Sequence, residues 1–590
     1  MRILSLLFML LLAAGCQQAP TGCEQSSHTI AQVQGTGEFS DLLNQQVTVK
    51  GAVLSQVYTD GPMPGLMLQS LEPDNDPATA EGIFVVVAEP AKYQAGQILV
   101  VSGTVAEVDQ LTSLIDAQVL NICGKTTLTP LALQLPLETD LSWEAYEGMW
   151  VRFEQPLVVA DTYQLGRYGE ILLADSRLMV PTQVVAPGEK AQLIAKQQER
   201  QAIMLDDGVW QQNPDPLPYP TTGLTAQSTL RVGDQVLQVE GIIHQDERGY
   251  RLLPTQRPQF ISANPRPAKP ALTKAHELRI ASYNVLNFFT GQGQEKPFPT
   301  RRGARTAEEL SRQQAKLVQA LVALDADIIG LLELENNGYN DGSAIATLLA
   351  ALNQQSAESY NMVITTETPG SDAIKVGIFY RSSRVKAIGE AATQTAEPFT
   401  RLHRPPVAQS FRHLASGTEF TFAVNHFKSK GSCPRTGTAD YAEQKDQNDG
   451  QACWNLARVQ AAEALQQWLQ TKPTGIATEH NVIVGDFNAY RMEDPIRYFE
   501  QQGWYYLSDS KAQSYSFVFR GRSGSLDHML ASPGLAGKLS DFQHWPINAD
   551  EPVLLDYSLR FKPASQLSVL YDATPYRSSD HDPILATFSF

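Results

Sequence analysis

Between residues 28 and 260 the apolar positions fall in short runs that alternate with polar ones, as in VTVKGAV (47–53), ILVVSGTV (98–105), MWVRF (149–153) and QVLQVEGII (235–243). Alternation at period two buries one face of a strand, so this half reads as mostly β. A Pro-rich stretch, Asn264-Pro265-Arg266-Pro267-Ala268-Lys269-Pro270, then behaves as a semi-rigid extended linker. Past it the period changes. LRIASYNVL (278–286) and ADIIGLLEL (326–334) read as buried strands, and between them Leu310, Leu317, Val318, Leu321 and Leu324 return at helical period behind Thr306 and Glu309 in capping-box spacing. Strands alternating with helices make residues 277–590 an α/β domain.

The β runs share a loose form, alternating apolar positions followed in three of the four by a glycine. Glycine inside such a strand marks a bend where a small barrel closes, which predicts two OB-like barrels, at 28–125 and 126–262, with 263–276 as the linker. The 590 residues suffice for about three or four folding units, in keeping with that division.

A composition of 43% hydrophobic and 18% charged residues excludes disordered, collagen-like and multi-span membrane classes. The formal charge of -17 argues against a protein that coats nucleic acid through bulk positive charge. The acidity is uneven, because residues 276–590 carry 29 basic and 34 acidic side chains against 17 and 29 in the remainder. Two local basic patches stand in the α/β half: Lys296, Arg301, Arg302, Arg305, Arg312 and Lys316 around the first helix, then Lys428, Lys430 and Arg435. A solvated helix face and a charged loop are their plain account; phosphate contact is the functional one.

At the N-terminus Arg2 precedes a run from Ile3 to Ala14 that is apolar except for Ser5, the pattern of an export signal and too short to span a bilayer. The run ends Leu12-Ala13-Ala14-Gly15-Cys16, which resembles the lipobox of bacterial lipoproteins. The resemblance implies removal of residues 1–15, acylation of Cys16, a tether over 16–27 and stable membrane attachment through more than one chain. Gln17, in place of Asp, implies sorting to the outer membrane or cell surface of a Gram-negative bacterium. Without Cys16 there remain Cys23, Cys123, Cys433 and Cys453, an even number suited to an oxidising compartment. Of the three connectivities that four cysteines allow, 23 with 123 and 433 with 453 keeps each bridge inside one domain. Structural zinc is the competing reading, although no pair has close Cys-x2-4-Cys spacing.

Polar clusters stand at the ends of the buried strands of the α/β half, where such folds place reacting groups. Asn284 and Glu333 end the first two strands, His426 follows FTFAVN, and Asp486 and Asn488 follow NVIVG. Asp527 and His528 lie in SLDHML, and Asp580 and His581 in SSDHDP. Singly these are ordinary: a strand-end Glu caps, a lone His is structural, Asp-x-Asn is a turn. Together, carboxylates and amides without clustered cysteines describe a hard-cation site. Hydrolysis of an anionic phosphodiester needs charge offset, a polarised water and an acid for the departing oxygen, and this set supplies all three.

The ordered set Asn284, GLLE (330–333), NHFKSK (425–430), GDFN (485–488), SLDH (525–528) and SDHDP (579–583) resembles the endonuclease/exonuclease/phosphatase superfamily, which includes pancreatic-type deoxyribonuclease. The flanking RRGART (301–306), ELEN (333–336), HFKSKGS (426–432), DGQACWN (449–455) and INADEP (547–552) are similar to the secreted bacterial ExeM-type extracellular endonucleases, from which the lipobox is a departure. The resemblance implies a DNase-I-like four-layer α/β sandwich, with Glu333 and Asp580 holding Mg2+ or Mn2+, Ca2+ being a further option, and Asn284 nearby. Asp486 and Asn488 would position or deprotonate the water and hold a phosphate oxygen. His581, oriented by Asp527, would pair with the attacked phosphate or act as base, with His426 as the acid. Lys428 and Lys430 are the expected backbone-phosphate contacts, and Arg381, after the strand KVGIFY, is a weaker one. His528, alternating to the opposite face from Asp527, reads as structural.

The expected protein is therefore an exported, lipid-anchored, metal-dependent endonuclease acting on DNA, with RNA left open and no protein partner. Its rivals are a same-fold hydrolase of sphingomyelin, inositol phosphates or nucleotides, and a non-catalytic surface-binding lipoprotein. The β units would serve to position substrate, since their acidity disfavours a strong sequence-independent grip.

Overall fold

A computed structural model of the chain describes residues 22–57, 63–274, 276–365, 369–508 and 514–590. The expected export signal, the lipidation site Cys16 and the start of the tether lie outside the described residues. The chain forms two compact units that do not follow sequence order. One takes the residues up to Ala132 with Glu138–Arg152 and Glu240–Thr255; the other takes Leu133–Leu137, Phe153–Val239 and Gln256–Phe590.

In the first unit the strands Gln46–Val57, Gly65–Gln69, Gly82–Val86, Leu111–Lys125 and Gln97–Val108 close in that order into a barrel. Alternate residues fill it, among them Val47, Val49, Leu66, Leu68, Val85, Leu99 and Val101. The Cys23–Cys123 bridge forms as expected, with Cα atoms 5.6 Å apart. Among the described residues a second closed barrel is not formed. The hairpin Glu240–Asp246 and Gly249–Pro254 buries Ile242 and Leu253 against Met67, Phe84 and Leu111 of the first unit instead. In the second unit the strands Gln259–Ile261, Gln235–Leu237, Leu157–Asp161, Ile171–Ala174 and Ala202–Leu205 pair side by side in an open sheet.

The rest of the second unit is a four-layer sandwich. One six-stranded sheet runs Tyr360–Met362, Ile374–Arg381, Ile328–Glu335, Glu277–Phe288, Ile584–Ser589, Leu539–His544. The other, also six-stranded, runs Val385–Thr393, Arg404–His413, Glu419–His426, Asn481–Asp486, Asp527–Ala531, Tyr505–Tyr506. Ile280, Ile328 and Ile378 of the first meet Phe411, Phe422 and Val484 of the second in one dry core. The helices Ala307–Leu324 and Ala344–Gln355 cover the first sheet through Leu317, Leu321 and Leu348, and Asn455–Gln470 and Asp494–Gln501 cover the second through Ala461, Leu465 and Phe499. The first helix starts as its sequence predicts: Thr306 Oγ1 accepts from the Glu309 N–H at 3.1 Å. The Glu309 carboxylate turns to the Arg305 N–H, one residue earlier than a capping box would place it.

The open sheet is joined to the sandwich by buried ion pairs from the INADEP segment. Asp550 accepts from Arg177 Nη1 at 2.9 Å and Asn264 Nδ2 at 2.7 Å. Glu551 is gripped by Arg266 through two bonds, 2.9 and 2.8 Å, and by the buried Arg231. Replacing one partner of such a set leaves an unmatched buried charge, a cost of about 3 to 5 kcal/mol.

Candidate active site

Strand direction decides which residues meet. Glu277–Phe288 and Ile328–Glu335 run parallel, as do Glu419–His426 and Asn481–Asp486, so Asn284, Glu333, His426 and Asp486 all arrive at one edge of the two sheets. Asp527 begins an antiparallel strand and pairs across from Asp486. The segment 579–581 precedes Ile584–Ser589, antiparallel to Glu277–Phe288, and so reaches the same edge. Gly485 fixes one register here: a Cβ at its φ of 143° would lie 2.0 Å from the Asn425 carbonyl oxygen, so no other residue allows Asp486 to sit opposite His426.

Glu333 sits at an irregularity between Leu331 and Leu334, with φ 64° in the left-handed region. That backbone costs about 1 to 3 kcal/mol for a non-glycine residue and turns the carboxylate out of the strand's alternation. Asn287 donates its N–H to Glu333 Oε2 at 2.9 Å and Asn284 Nδ2 donates to Oε1 at 3.2 Å. Asn284 Nδ2 also points at Asp486 Oδ2, 3.4 Å away, while its own oxygen accepts from the Leu286 N–H. Asn284 thus bridges the two acids and presents nitrogen to them. Burial, and then the charge of Asp580, push the Glu333 carboxyl up to about 7. Ser579 donates its hydroxyl to the Asn284 carbonyl oxygen at 2.6 Å, with the same Oγ 3.4 Å from Asp580 Oδ1.

The two imidazoles are held in opposite charge states. His581 Nδ1 lies 2.7 Å from Asp527 Oδ2, which also accepts from Ser516 Oγ at 2.7 Å. Burial works against charging this ring, but Asp527, Asp580 and Asp486 outweigh it and raise the imidazole well above its ordinary value. His426 Nε2 lies 3.3 Å from Asp486 Oδ2. Here burial, reinforced by the Arg404 guanidinium, lowers the ring to about 4 despite Asp486. Asp486 is itself held below the usual carboxylate range: burial opposes its ionisation, and His426, His581 and the Asn488 N–H, 2.8 Å from Oδ1, overcome it. Asn488 completes the turn at φ 48° and donates Nδ2 to the Phe427 carbonyl at 3.1 Å.

A second layer fixes these groups. Asn548 clamps the 578–581 loop by donating to the His581 carbonyl at 2.7 Å and accepting from the Ser578 N–H at 2.9 Å, and Asp582 accepts from the Asn548 N–H at 2.7 Å. His528 bonds Tyr506 at 2.9 Å and the Ala489 carbonyl at 2.7 Å, the structural role expected.

Arg404 is the residue the sequence does not reveal. It opens its strand directly opposite His426, is buried, and donates to the Phe427 carbonyl at 2.7 Å, with its charge acting on Glu333, Asp486 and His426. Among the expected phosphate contacts, Lys428 stands beside this cluster, its ammonium on the Ser429 and Gly431 carbonyls at 3.0 and 2.9 Å. Lys430 is committed to the buried Glu493 at 2.5 Å and to the Gln451 carbonyl at 2.9 Å. Arg381 is not part of the site. Its strand runs antiparallel to Ile328–Glu335, so its C-terminal end falls at the opposite edge, where Arg381 pairs with Asp325 at 2.7 Å. The Cys433–Cys453 bridge forms as expected, with Cα atoms 5.5 Å apart.

A four-layer sandwich with acids and imidazoles gathered at one strand edge defines a phosphoester hydrolase of the DNase-I-like kind. A profile of the Endonuclease/Exonuclease/phosphatase family matches residues 281–581, and the chain belongs to that family, whose members hydrolyse phosphoesters. Residues 140–264 match a domain of unknown function, DUF8508. No curated protein matches the chain. Similar solved structures include the human Nocturnin catalytic domain with bound sulfate, at 19% identity over 54% of this chain and 96% of that one with a TM-score of 0.33. D. rerio TDP2 complexed with single strand DNA product matches at 16% identity over 53% and 99%, TM-score 0.32. A Bacteroides thetaiotaomicron mannosyl-6-phosphatase matches at 17% over 52% and 98%, TM-score 0.31.

Proposed function

We propose that the protein is a divalent-metal-dependent phosphodiesterase that cuts DNA internally with little sequence preference, RNA being a further substrate. The carrying observation is the convergence of Glu333, Asp486 and Asp580 with one cationic and one neutral imidazole at one strand edge. The donor set fits a hard cation. Glu333 and Asp580 repel each other, and Glu333 takes its hydrogen bonds from the neutral donors Asn284 and Asn287. Among the described residues no three His, Cys, Asp or Glu side chains close on one point. Two carboxylates suit Mg2+ or Mn2+, which keep water or phosphate in their remaining positions, better than a Ca2+ cage.

When bound, such an ion supplies charge neutralisation on the phosphate and a polarised water. His581, charged and braced by Asp527, is placed to donate to an oxygen of the attacked phosphate. Neutral His426 beside ionised Asp486 is the pair that takes up a proton, with Asn488 holding the turn beneath them. This gives His426 the role of acceptor, where the sequence reading had it as acid, because Arg404 and burial keep it uncharged. Lys428 and Arg404 supply positive charge for the phosphate backbone.

DNA is favoured by the ExeM-like segments and the cationic residues around His426. The lipobox supports an exported protein anchored through Cys16 at the outer membrane or cell surface, which incorporation of labelled palmitate, lost in Cys16→Ser, would test. Plasmid nicking with and without chelator, with Mg2+, Mn2+ or Ca2+ restored, tests the central reading, using sphingomyelin and inositol phosphates as parallel substrates. Metal-restored nicking supports it. Hydrolysis of the lipid or inositol ester with an untouched plasmid overturns the substrate.

A further inference from the structure

Beside the catalytic edge, within the second unit, opens a cavity of about 560 Å3, a size typical of small-ligand sites. Asp580 lines it, together with Asp161 and Tyr163 from the open β sheet and Phe517, Phe519 and Arg520 from a hairpin of the sandwich. Its walls are held together by backbone pairing. The hairpin strand Arg522–Gly524 pairs in parallel with Leu178–Met179 of the β module, the segment Phe153–Val239 that supplies most of the open sheet, and the Val180 N–H continues the ladder to the Ser523 carbonyl at 2.9 Å. At the hairpin tip Gly521 has φ 76°, and a Cβ there would lie 2.3 Å from Leu172 Cδ2, so glycine permits the close approach. Arg177 fastens the same joint, donating to Ser523 Oγ at 3.0 Å and to Asp550 at 2.9 Å.

The lining chemistry is aromatic and acidic. The Phe517 ring lies 4.7 Å from the His581 ring at a 31° tilt, and Phe519 stacks beside Phe517 with planes 14° apart and centroids 6.4 Å apart. Phe519 is 55% exposed, with the Arg520 guanidinium 5.3 Å from its ring centroid, and Tyr163 is 67% exposed, so both aromatic side chains reach solvent at the cavity. Asp161, Glu170, Glu551 and Asp580 outnumber Arg520 and Arg577 in the lining, so the space carries no net positive charge to hold a second phosphate. Flat apolar faces beside carboxylates instead suit an uncharged heteroaromatic ring with amino donors, which is a nucleobase.

We propose that this cavity is a base-binding subsite, in which Tyr163 and Phe519 stack on the unstacked base of the nucleotide next to the attacked phosphate. The β module thereby directs the enzyme to single-stranded or locally unpaired DNA. A paired base must first leave its stack to enter, which costs a few kcal/mol and disfavours intact duplex. This rests on the nuclease reading above and adds the form of its substrate.

The test compares cleavage of one oligonucleotide as a single strand and as a blunt duplex by the full-length protein, Tyr163→Ala, Phe519→Ala and Phe519→Trp. The parent is expected to favour the single strand by about tenfold or more in kcat/KM. Each alanine lowers single-strand kcat/KM about five- to tenfold, chiefly through KM, and Phe519→Trp retains the parental value. In parallel, 2-aminopurine fluorescence in the single strand is quenched on binding to Glu333→Gln protein and recovers when Phe519→Ala is added to it. Equal cleavage of both forms by the parent overturns the subsite while leaving the nuclease reading intact. An unchanged strand ratio and unchanged quenching in both alanine proteins do the same. Cleavage of neither form, with hydrolysis of another phosphate ester, removes the nuclease reading and this inference with it.

Discussion

At the start of the strand Ile328–Glu335, buried Asp327 lies 2.9 Å from the Arg384 guanidinium and accepts the Arg279 N–H at 2.9 Å, while neighbouring Asp325 holds Arg381 at 2.7 Å. Toward the strand's other end, about 20 Å from Asp327 at strand rise, Glu333 faces the charge of Asp580 and receives only amide N–H groups. The two edges use similar residue types. At one, each acid has its arginine and the ion pairs hold strands together. At the other, acids face acids and imidazoles, which raises Glu333 and splits the charge states of His426 and His581. Carboxylates that face each other are unfavourable for the fold alone, which is the ground for proposing this edge as the site of a cationic partner.

The largest expected effect of breaking this contrast is on catalysis. Glu333→Gln and Asp580→Asn are each expected to lower plasmid cleavage on the order of 1,000-fold. Their urea midpoints should stay at or above the parental value, because each removes one of two mutually repelling carboxylate charges. At the opposite edge Asp327→Ala should do the reverse. It strands Arg384 and costs about 3 to 5 kcal/mol of stability in denaturant unfolding, with cleavage per folded molecule retained, as it should also be in Arg381→Ala. A smaller effect sharpens the account of His426. With this ring neutral above about pH 4, kcat/KM should fall on acidification through that pH. Arg404→Gln removes a charge that depresses the ring, so the acid limb should move up by about one pH unit. A limb that stays in place would remove Arg404 as the cause.

Much of the active edge is legible in the sequence because strand-end polar residues interrupt otherwise apolar runs, as in GLLE at Glu333 and NVIVGD at Asp486. Strand direction is not legible there, which is why Arg381 looks like a site residue although antiparallel pairing sends it to the far edge. Asp527 escapes the same error because it begins an antiparallel strand where the others end theirs. Arg404 is hidden for another reason: it opens a strand, before Pro405 and Pro406, and its meaning comes only from the cross-strand register with His426. The INADEP acids look like site flanks, whereas Asp550 and Glu551 lock arginines that join the β module to the sandwich. Alternation in 126–262 shows strands correctly but is blind to which core they enter, so the expected second barrel is divided between the two units.

The most direct measurement is Mn2+ binding, followed by titration of the full-length protein with cleavage monitored alongside. One site whose occupancy tracks cleavage, lost in Glu333→Gln and Asp580→Asn and retained in Asp327→Ala, is the predicted result. Undiminished Mn2+ binding by the Glu333→Gln and Asp580→Asn proteins would contradict it.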